Sequence, residues 1–593
     1  MRSGKEAAGS RLRTALVCAG LGLAAVAPLL GTLRTDGFIH DDRWIVAGNP
    51  LLSGGWKSVG ALFTTGYWEA ARGKSASVQE YRPVLMLTFL LQRMLTGAEP
   101  GPMHAVNLIL HGLASILVFL ALAGRMDGVA AAVAAVVFAV LPVHTEAVAS
   151  LTGRSEVLAA ALMLGAWLAL DRKPPASTAS RVAAGCSLYA AAMLTKEHAV
   201  LFPMFLALSD RASGLGAPWS RERRGVYCAL LGCVILYGAL RLTVLSHAAQ
   251  VGTPYFADTS RLSALLTLSR FAALRYLWPS LSGEGSCPDY SRPLIPDAGP
   301  SDSFAWLCLA GLAFLACAAA MDLFRRRPAG KGAPWSFWAL APCVFLLPTS
   351  HLLVPLDTLG AERFLYFPSI GLAALMGLLW KKASAAAPWP AGLAAAALVA
   401  WYASSTAGKN EVWVSDLSYY AAAVDCNPVS ARAHSALGQA LVVRGRVEEG
   451  KLHLMKAIGL GPRIPQPYYN LARLAWDRRD YAGAESLLRR CLELDPMSPE
   501  AWVLLAVVAE KLGKASDSAA ALARALAIHP GDPLAHYNFA RLCLSRGLAS
   551  EAAEHFSRFL ELAPDDPQAA EIAGLVSRLN PAADDLSSRS KVR

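Results

Sequence analysis

The chain has 593 residues, 54% of them apolar, with a formal charge of +11 and a mean hydropathy of +0.38. There is room for several domains, and the apolar share is too high for a soluble enzyme. The charge does not mark a nucleic-acid-binding surface, because the basic residues are scattered in short clusters between apolar runs instead of forming one patch.

The first apolar run, TALVCAGLGLAAVAPLLGTL (14–33), is longer than the apolar core of a cleaved signal sequence. Further runs follow it, so it reads as a signal anchor. Arg11 and Arg13 precede it. The later basic clusters are Arg172, Lys173 and Arg181, then Arg221, Arg223 and Arg224, then Arg325, Arg326 and Arg327, then Lys381 and Lys382. Taken as cytoplasmic loops, they predict eleven spans near 14–33, 103–123, 128–142, 155–170, 182–195, 197–209, 225–246, 304–324, 334–350, 364–380 and 388–406. The N-terminus is then inside, while the loop 34–102 and everything after residue 406 are outside. The apolar stretches 83–97 and 262–280 are left out of this count. The second carries Arg270 and Arg275 and reads as an amphipathic helix in the interface. The eleven cysteines include no CxxC pair, and most lie inside apolar runs (Cys18, Cys228, Cys233, Cys308, Cys317, Cys343). They read as small packing residues, with neither a zinc site nor a disulfide framework expected.

On this topology the polar clusters at span edges share the outer side. GFIHDDRWIVAGNP (37–50) holds the adjacent acids Asp41 and Asp42, and YWEAARGKSASVQEYRPV supplies Glu80 and Arg82. LPVHTEAVASLTGRSE carries His144, Glu146 and Arg154. MLTKEHAVLFP carries Lys196, Glu197 and His198, and LGAERFLYFPSIG carries Glu362 and Arg363. Charged groups at a membrane boundary are costly and mark a site, whereas the single histidines His104 and His111 read as helix-packing groups. Carboxylates and cations facing one compartment suit the transfer of a group from a lipid-linked phosphate. The cations hold the departing phosphate, and a carboxylate takes the proton of the attacking hydroxyl.

From about residue 409 the pattern becomes soluble, alanine-rich and helical. Pro428, Pro462, Pro496, Pro530 and Pro564 recur every 34 residues. Leu437, Leu471, Leu505 and Phe539 keep the same register, as do the rings His434, Tyr468, Trp502 and His536 and the compact residues Ala457, Cys491 and Ala525. This period and these columns resemble the tetratricopeptide repeat, TPR. Four units occupy 431–564, after a leading half-unit in 409–430 and before a capping helix and tail in 565–593. Such repeats stack into a solenoid whose concave face binds peptides. Asn470 and Asn538 share one column and can act as clamps on an extended acceptor backbone, the alternative for each being a solvated polar residue.

The segments FIHDDRWIVAGNP, YRPV, HAVNLILH, LPVHTEAVASLTGRSEVLAA, TKE and RFLYFPSIG occur in this order ahead of the repeats. Together they resemble the transmembrane-and-TPR O-mannosyltransferase family, and LRYLWPSLSGEGSCPDYSRPLIP (274–296) resembles an outer-loop region of that family. The resemblance implies an all-α fold: a polytopic C-type (GT-C) glycosyltransferase module over 1–408, followed by the TPR solenoid. It implies inverting transfer of mannose from a polyprenyl or dolichyl monophosphate to Ser/Thr of exported proteins held by the solenoid. Asp41 would be the base and Asp42 the group that orients the loop. Lys196, Arg363 and Arg154 would hold the donor phosphate, with His144 and Glu146 in support. No cofactor is implied beyond the lipid-linked donor; a divalent metal on Asp41, Asp42 and Glu146 is left open, no spacing demanding one. The chain departs from the family pattern at Leu141 (His in the family) and Thr195 (usually Cys), and it has fewer repeats. A lipid or glycan glycosyltransferase with a TPR assembly platform, and a non-enzymatic TPR scaffold, are the other classes these residues fit. No Asn-x-Ser/Thr sequon occurs, which points to a bacterial inner membrane with a periplasmic solenoid; a lumenal solenoid on the endoplasmic reticulum is the alternative.

Overall fold

A computed structural model describes residues 2–72, 80–171, 178–213, 223–246, 255–291, 294–325, 333–351, 356, 358–564 and 566–579. Among these residues the regular structure is helical throughout. The chain forms two compact units, one from residues 1–72 with 76–428 and one from 429–593.

In the first unit, four helical segments are long and apolar enough to cross a membrane: Leu12–Arg34, Pro100–Ala123, Arg224–Val244 and Ser303–Arg325. The 24 residues of Pro100–Ala123 rise about 36 Å at 1.5 Å each, more than a hydrocarbon core of roughly 30 Å. Ser303–Arg325 exposes Leu307, Phe314, Leu315 and Phe324, a surface suited to an apolar solvent. A fifth crossing results if Gly128–Val140 and Pro142–Ala149, bent by 49°, count as one. The bend falls at Pro142, which cannot continue the preceding hydrogen-bond ladder.

The eleven spans expected from the sequence therefore reduce to four or five on length and apolarity. Thr178–Met193, Phe202–Ser213 and Trp335–Leu346 have 16, 12 and 12 residues. Arg154–Leu170 begins with Arg154 and Glu156, and Ser369–Ala386 carries Lys381 and Lys382. The stretch left out of the count, 262–280, folds as the short helix Arg261–Phe271, a wider turn over Ala272–Leu277, and Trp278–Ser282. Of the basic clusters, Arg172, Lys173, Arg221, Arg326 and Arg327 lie outside the described residues. Arg223 does more than mark a side: it is buried and binds Asp210 through two nitrogens at 2.7 Å.

The cysteines require a correction. Cys287 and Cys426 form a disulfide with their Cα atoms 5.7 Å apart. Both lie outside the apolar runs, so the packing role read for most cysteines does not extend to this pair.

The second unit is a succession of helix pairs: Ala431–Val443 with Val447–Leu460, Gln466–Asp477 with Tyr481–Leu494, Pro499–Lys511 with Ala515–Ile528, and Pro533–Ser545 with Ala549–Leu562. The helix Ala569–Leu579 follows. Ser430, Ser498 and Asp532, one repeat or two apart, each cap a first helix by accepting backbone N–H bonds. In the first pair, Gly438 and Gly450 face each other so closely that a Cβ on either would lie within 3 Å of the other's carbonyl oxygen. Each intra-unit turn passes through a left-handed residue, at Gly445, Arg479, Gly513 and Gly547.

Candidate active site

The first apolar helix ends in a 3₁₀ segment, Ala27–Arg34, and the chain then enters the loop that carries the acidic pair. His40 sits at φ 53°, a left-handed conformation that a non-glycine residue adopts at a cost and that concentrates at functional sites. Its backbone N–H donates to Asp416 at 3.2 Å, and Arg43 pairs with the same carboxylate. The two neighbouring acids meet different surroundings. Asp42 is 1% exposed and accepts the backbone N–H groups of Leu151 and Thr152 at 2.9 and 2.8 Å. Burial pushes its carboxyl up to about 6, and the two N–H bonds oppose that rise. The Asp41 side chain is 31% exposed and lies 3.1 Å from His40 Nδ1.

The loop that Asp42 grips follows the short helix Thr145–Ala149. Gly153 closes that loop; a Cβ there would stand 2.4 Å from the Ala147 carbonyl oxygen, so only glycine allows this approach. The same short helix presents Glu146, which accepts both the backbone N–H of Arg363 and its Nη1, each at 3.0 Å. Against the cost of burial, Glu146, then Asp41 and Glu156, hold the Arg363 guanidinium protonated well above its usual range. Glu156 in turn takes Lys196 Nζ at 3.1 Å and faces His198 Nδ1 at 3.5 Å. Beside them Arg82 bridges Glu80 at 2.6 Å and Glu197 at 3.0 Å.

The structure thus brings together Asp41, Asp42, Glu146, Lys196 and Arg363, from four separate stretches of sequence. It does not bring Arg154 and His144 to the same charged face. Arg154 is 0% exposed and spends its nitrogens on Asn107, Gln92, the Met103 carbonyl and Thr88, with Phe89 stacked beneath it. His144 is buried among Phe138, His111 and Tyr366. Its Nε2 is hydrogen-bonded to the Ser369 hydroxyl at 2.7 Å, and that hydroxyl also lies 2.8 Å from the Tyr366 carbonyl. These two residues were expected at the phosphate; buried and internally bonded, they organise the core behind the site instead. In the solenoid Asn470 is buried, with an Nδ2 that bonds to none of the described residues, while Asn538 donates to the Leu534 carbonyl of its own helix.

Both Asp42 oxygens accept loop N–H bonds and both Glu146 oxygens accept from Arg363. No cluster of three or more His, Cys, Asp or Glu side chains suited to a metal occurs among the described residues. Sequence reasoning passed over Glu156, the counterion of Lys196. The signal was available, since a lysine at a span edge needs a carboxylate partner and Glu156 opens the adjacent apolar run.

A charged site on an all-helical apolar unit, with helix-pair repeats in a second unit, describes a membrane-associated TPR protein. Models of the tetratricopeptide repeat match residues 469–533 and 511–579. Similar curated proteins carry the name protein O-mannosyl-transferase. TMTC3 of Homo sapiens is 25% identical over 76% of this chain and 53% of its own length. Tmtc1 of Drosophila melanogaster is 27% identical, over 76% and 62%; TMTC1 of Homo sapiens is 28% identical, over 74% and 54%. The resemblance read from the motifs is therefore matched by similarity along three-quarters of the chain. The chain spans about half to three-fifths of the length of these relatives. Among solved structures, the crystal structure of MamA aligns with 25% of this chain and 86% of its own at 21% identity and a TM-score of 0.23.

Proposed function

We propose that this protein is a membrane glycosyltransferase that moves mannose from a polyprenyl or dolichyl monophosphate to Ser/Thr hydroxyls of exported polypeptides. The observation that carries this reading is the convergence of Asp41, Glu146, Arg363 and the Lys196–Glu156 pair on one partly exposed face. The relatives' shared name, protein O-mannosyl-transferase, supports the sugar and the acceptor class.

In the proposed step the acceptor hydroxyl oxygen bonds to the anomeric carbon while its proton passes to Asp41. The bond from that carbon to the phosphate oxygen breaks, and the polyprenyl phosphate leaves with the electron pair. Arg363 and Lys196 stabilise the charge that develops there. Asp42, holding the 150–152 turn, fixes the loop so that Asp41 meets the acceptor. The buried, paired ions at this face count against a scaffold with no chemistry.

The module of residues 1–408 then has the eleven crossings that the basic loops imply, four or five of them long and apolar enough on their own. Residues 409–430 link it to four TPR units over 431–564, capped within 565–593. The solenoid presents acceptor chains, with Asn470 and Asn538 as clamps. We place the site and the solenoid on the outer face of a bacterial inner membrane, or on the lumenal face of the endoplasmic reticulum. The Cys287–Cys426 disulfide supports either oxidising side over the cytosol.

The full chain, reconstituted with polyprenyl phosphate carrying labelled mannose and a Ser/Thr peptide, should label the peptide. Asp41→Asn should lower transfer by at least about 10²-fold with donor binding unchanged, whereas Lys196→Ala or Arg363→Ala should weaken donor binding. An inactive wild-type protein, or an Asp41→Asn protein keeping more than about a tenth of the activity, would sink this reading.

A further inference from the structure

Next to the charged face lies a cavity of about 300 Å³ lined by Glu146, Glu284, Glu362, Ser405, Lys409 and Trp413, with the loop 283–288 as one wall. That volume is at the small end of ligand pockets, which run roughly 300–1,000 Å³. The loop is fixed from two sides: Ser405 and Trp401 donate to the carbonyls of Gly283 and Ser282, and Cys287 is tied by its disulfide. Glu362 is buried, with Oε1 accepting the Tyr290 hydroxyl at 2.7 Å and the Cys287 N–H at 3.2 Å. Burial raises its carboxyl above the ordinary range, Lys409 opposing that rise. Lys409 Nζ is itself buried and hydrogen-bonds to none of the described residues. Glu362 and Glu284 supply opposite charge but no hydrogen bond; a buried ammonium with unmade hydrogen bonds is costly, so a ligand atom that accepts them would relieve it.

The charges select the ligand. Glu146 is already paired with Arg363, so Glu284 and Glu362 face the one ammonium, a balance that gives a phosphate no net attraction. A ring with several hydroxyls suits the lining instead, since each hydroxyl can accept from Lys409 and donate to a carboxylate. Trp413 offers an apolar wall for the carbon face of such a ring. Glu146 belongs both to this cavity and to the pair with Arg363, which puts a phosphate held by Arg363 next to a ring held in the cavity. We infer that this cavity is the sugar subsite, holding the neutral polyhydroxylated ring of the lipid-linked donor between Lys409 and the carboxylates. This deepens the reading above and rests on it for the identity of the donor.

The test is binding to the full chain in lipid nanodiscs, which requires no turnover. Two pairs of probes are compared: polyprenyl monophosphate with and without mannose, and a Ser/Thr peptide with and without O-linked mannose. The mannose should raise affinity in the lipid pair by about tenfold, the worth of one hydrogen bond to a charged group. Lys409→Met should erase that preference while leaving affinity for the sugar-free lipid phosphate unchanged. Glu284→Gln, at an exposed position whose change leaves packing intact, should reduce the preference in the same direction. Preference only in the peptide pair would assign the ring to a sugar already on the acceptor and overturn the donor subsite. No preference in either pair, or weaker binding of the sugar-free phosphate by Lys409→Met, would overturn it as well. Failed peptide transfer with an intact sugar preference would count against the proposed reaction and not against the cavity.

Discussion

A carboxylate that anchors two backbone N–H groups does so best while it is ionised, and Asp42 holds Leu151 and Thr152 in this way. Its carboxyl, pushed by burial to about 6, gains a proton as the pH falls through that value. Transfer should therefore decline on the acid side of about pH 6, as the 150–152 turn loses part of its anchor. Asp42→Asn keeps the shape but has no charge to lose, so it should be slow throughout and show no inflection there. A pH–rate profile of both proteins checks this, and an unchanged inflection in Asp42→Asn would refute it. At this scale the sequence was informative about which side chains the fold brings together: the adjacent acids, Glu146, Lys196 and Arg363. It was uninformative where the role depends on a distant partner. Arg154 and His144 look like site residues in a linear reading, yet Asn107, Gln92 and Ser369 absorb their polar atoms. Glu156, Lys409 and the Cys287–Cys426 pair gain their meaning from contacts across the fold.

Among the elements, the solenoid turns allow a comparison within one chain. Three of the four intra-unit turns place glycine in the left-handed region, and the second places Arg479 there at φ 61°. A side chain in that region costs roughly 1–2 kcal/mol, which glycine's extra chain entropy partly offsets. Arg479→Gly should therefore stabilise the repeat unit by about 1 kcal/mol, and Gly513→Ala should destabilise it by a similar amount. Denaturant midpoints of the 429–593 unit would measure both, and equal midpoints would show that the turns are not under this strain. The repeats were legible because the 34-residue columns state the same packing problem four times. The spans were less legible. Thr178–Met193 and Phe202–Ser213, at 16 and 12 residues, are shorter than a straight crossing needs and give weak signals.

For the whole molecule, the shared compartment of site and solenoid is the claim on which the proposed chemistry depends. Ser550→Cys, at an exposed position, should react with a membrane-impermeant thiol reagent in intact cells or right-side-out vesicles. Background from the solenoid should be low because Cys491 and Cys543 are buried. Labelling only after permeabilisation would put the solenoid on the opposite side. The disulfide has a consequence for biosynthesis. Cys287, in the cavity wall, must wait for a partner 139 residues further along the chain. The ribosome thus completes most of the membrane unit before that loop can be fastened. A stalled nascent chain ending before Cys426 should leave Cys287 open to alkylation, and one long enough to carry Cys426 clear of the ribosome should protect it. Assembly of the pocket would then be timed by export of the segment that leads into the repeats.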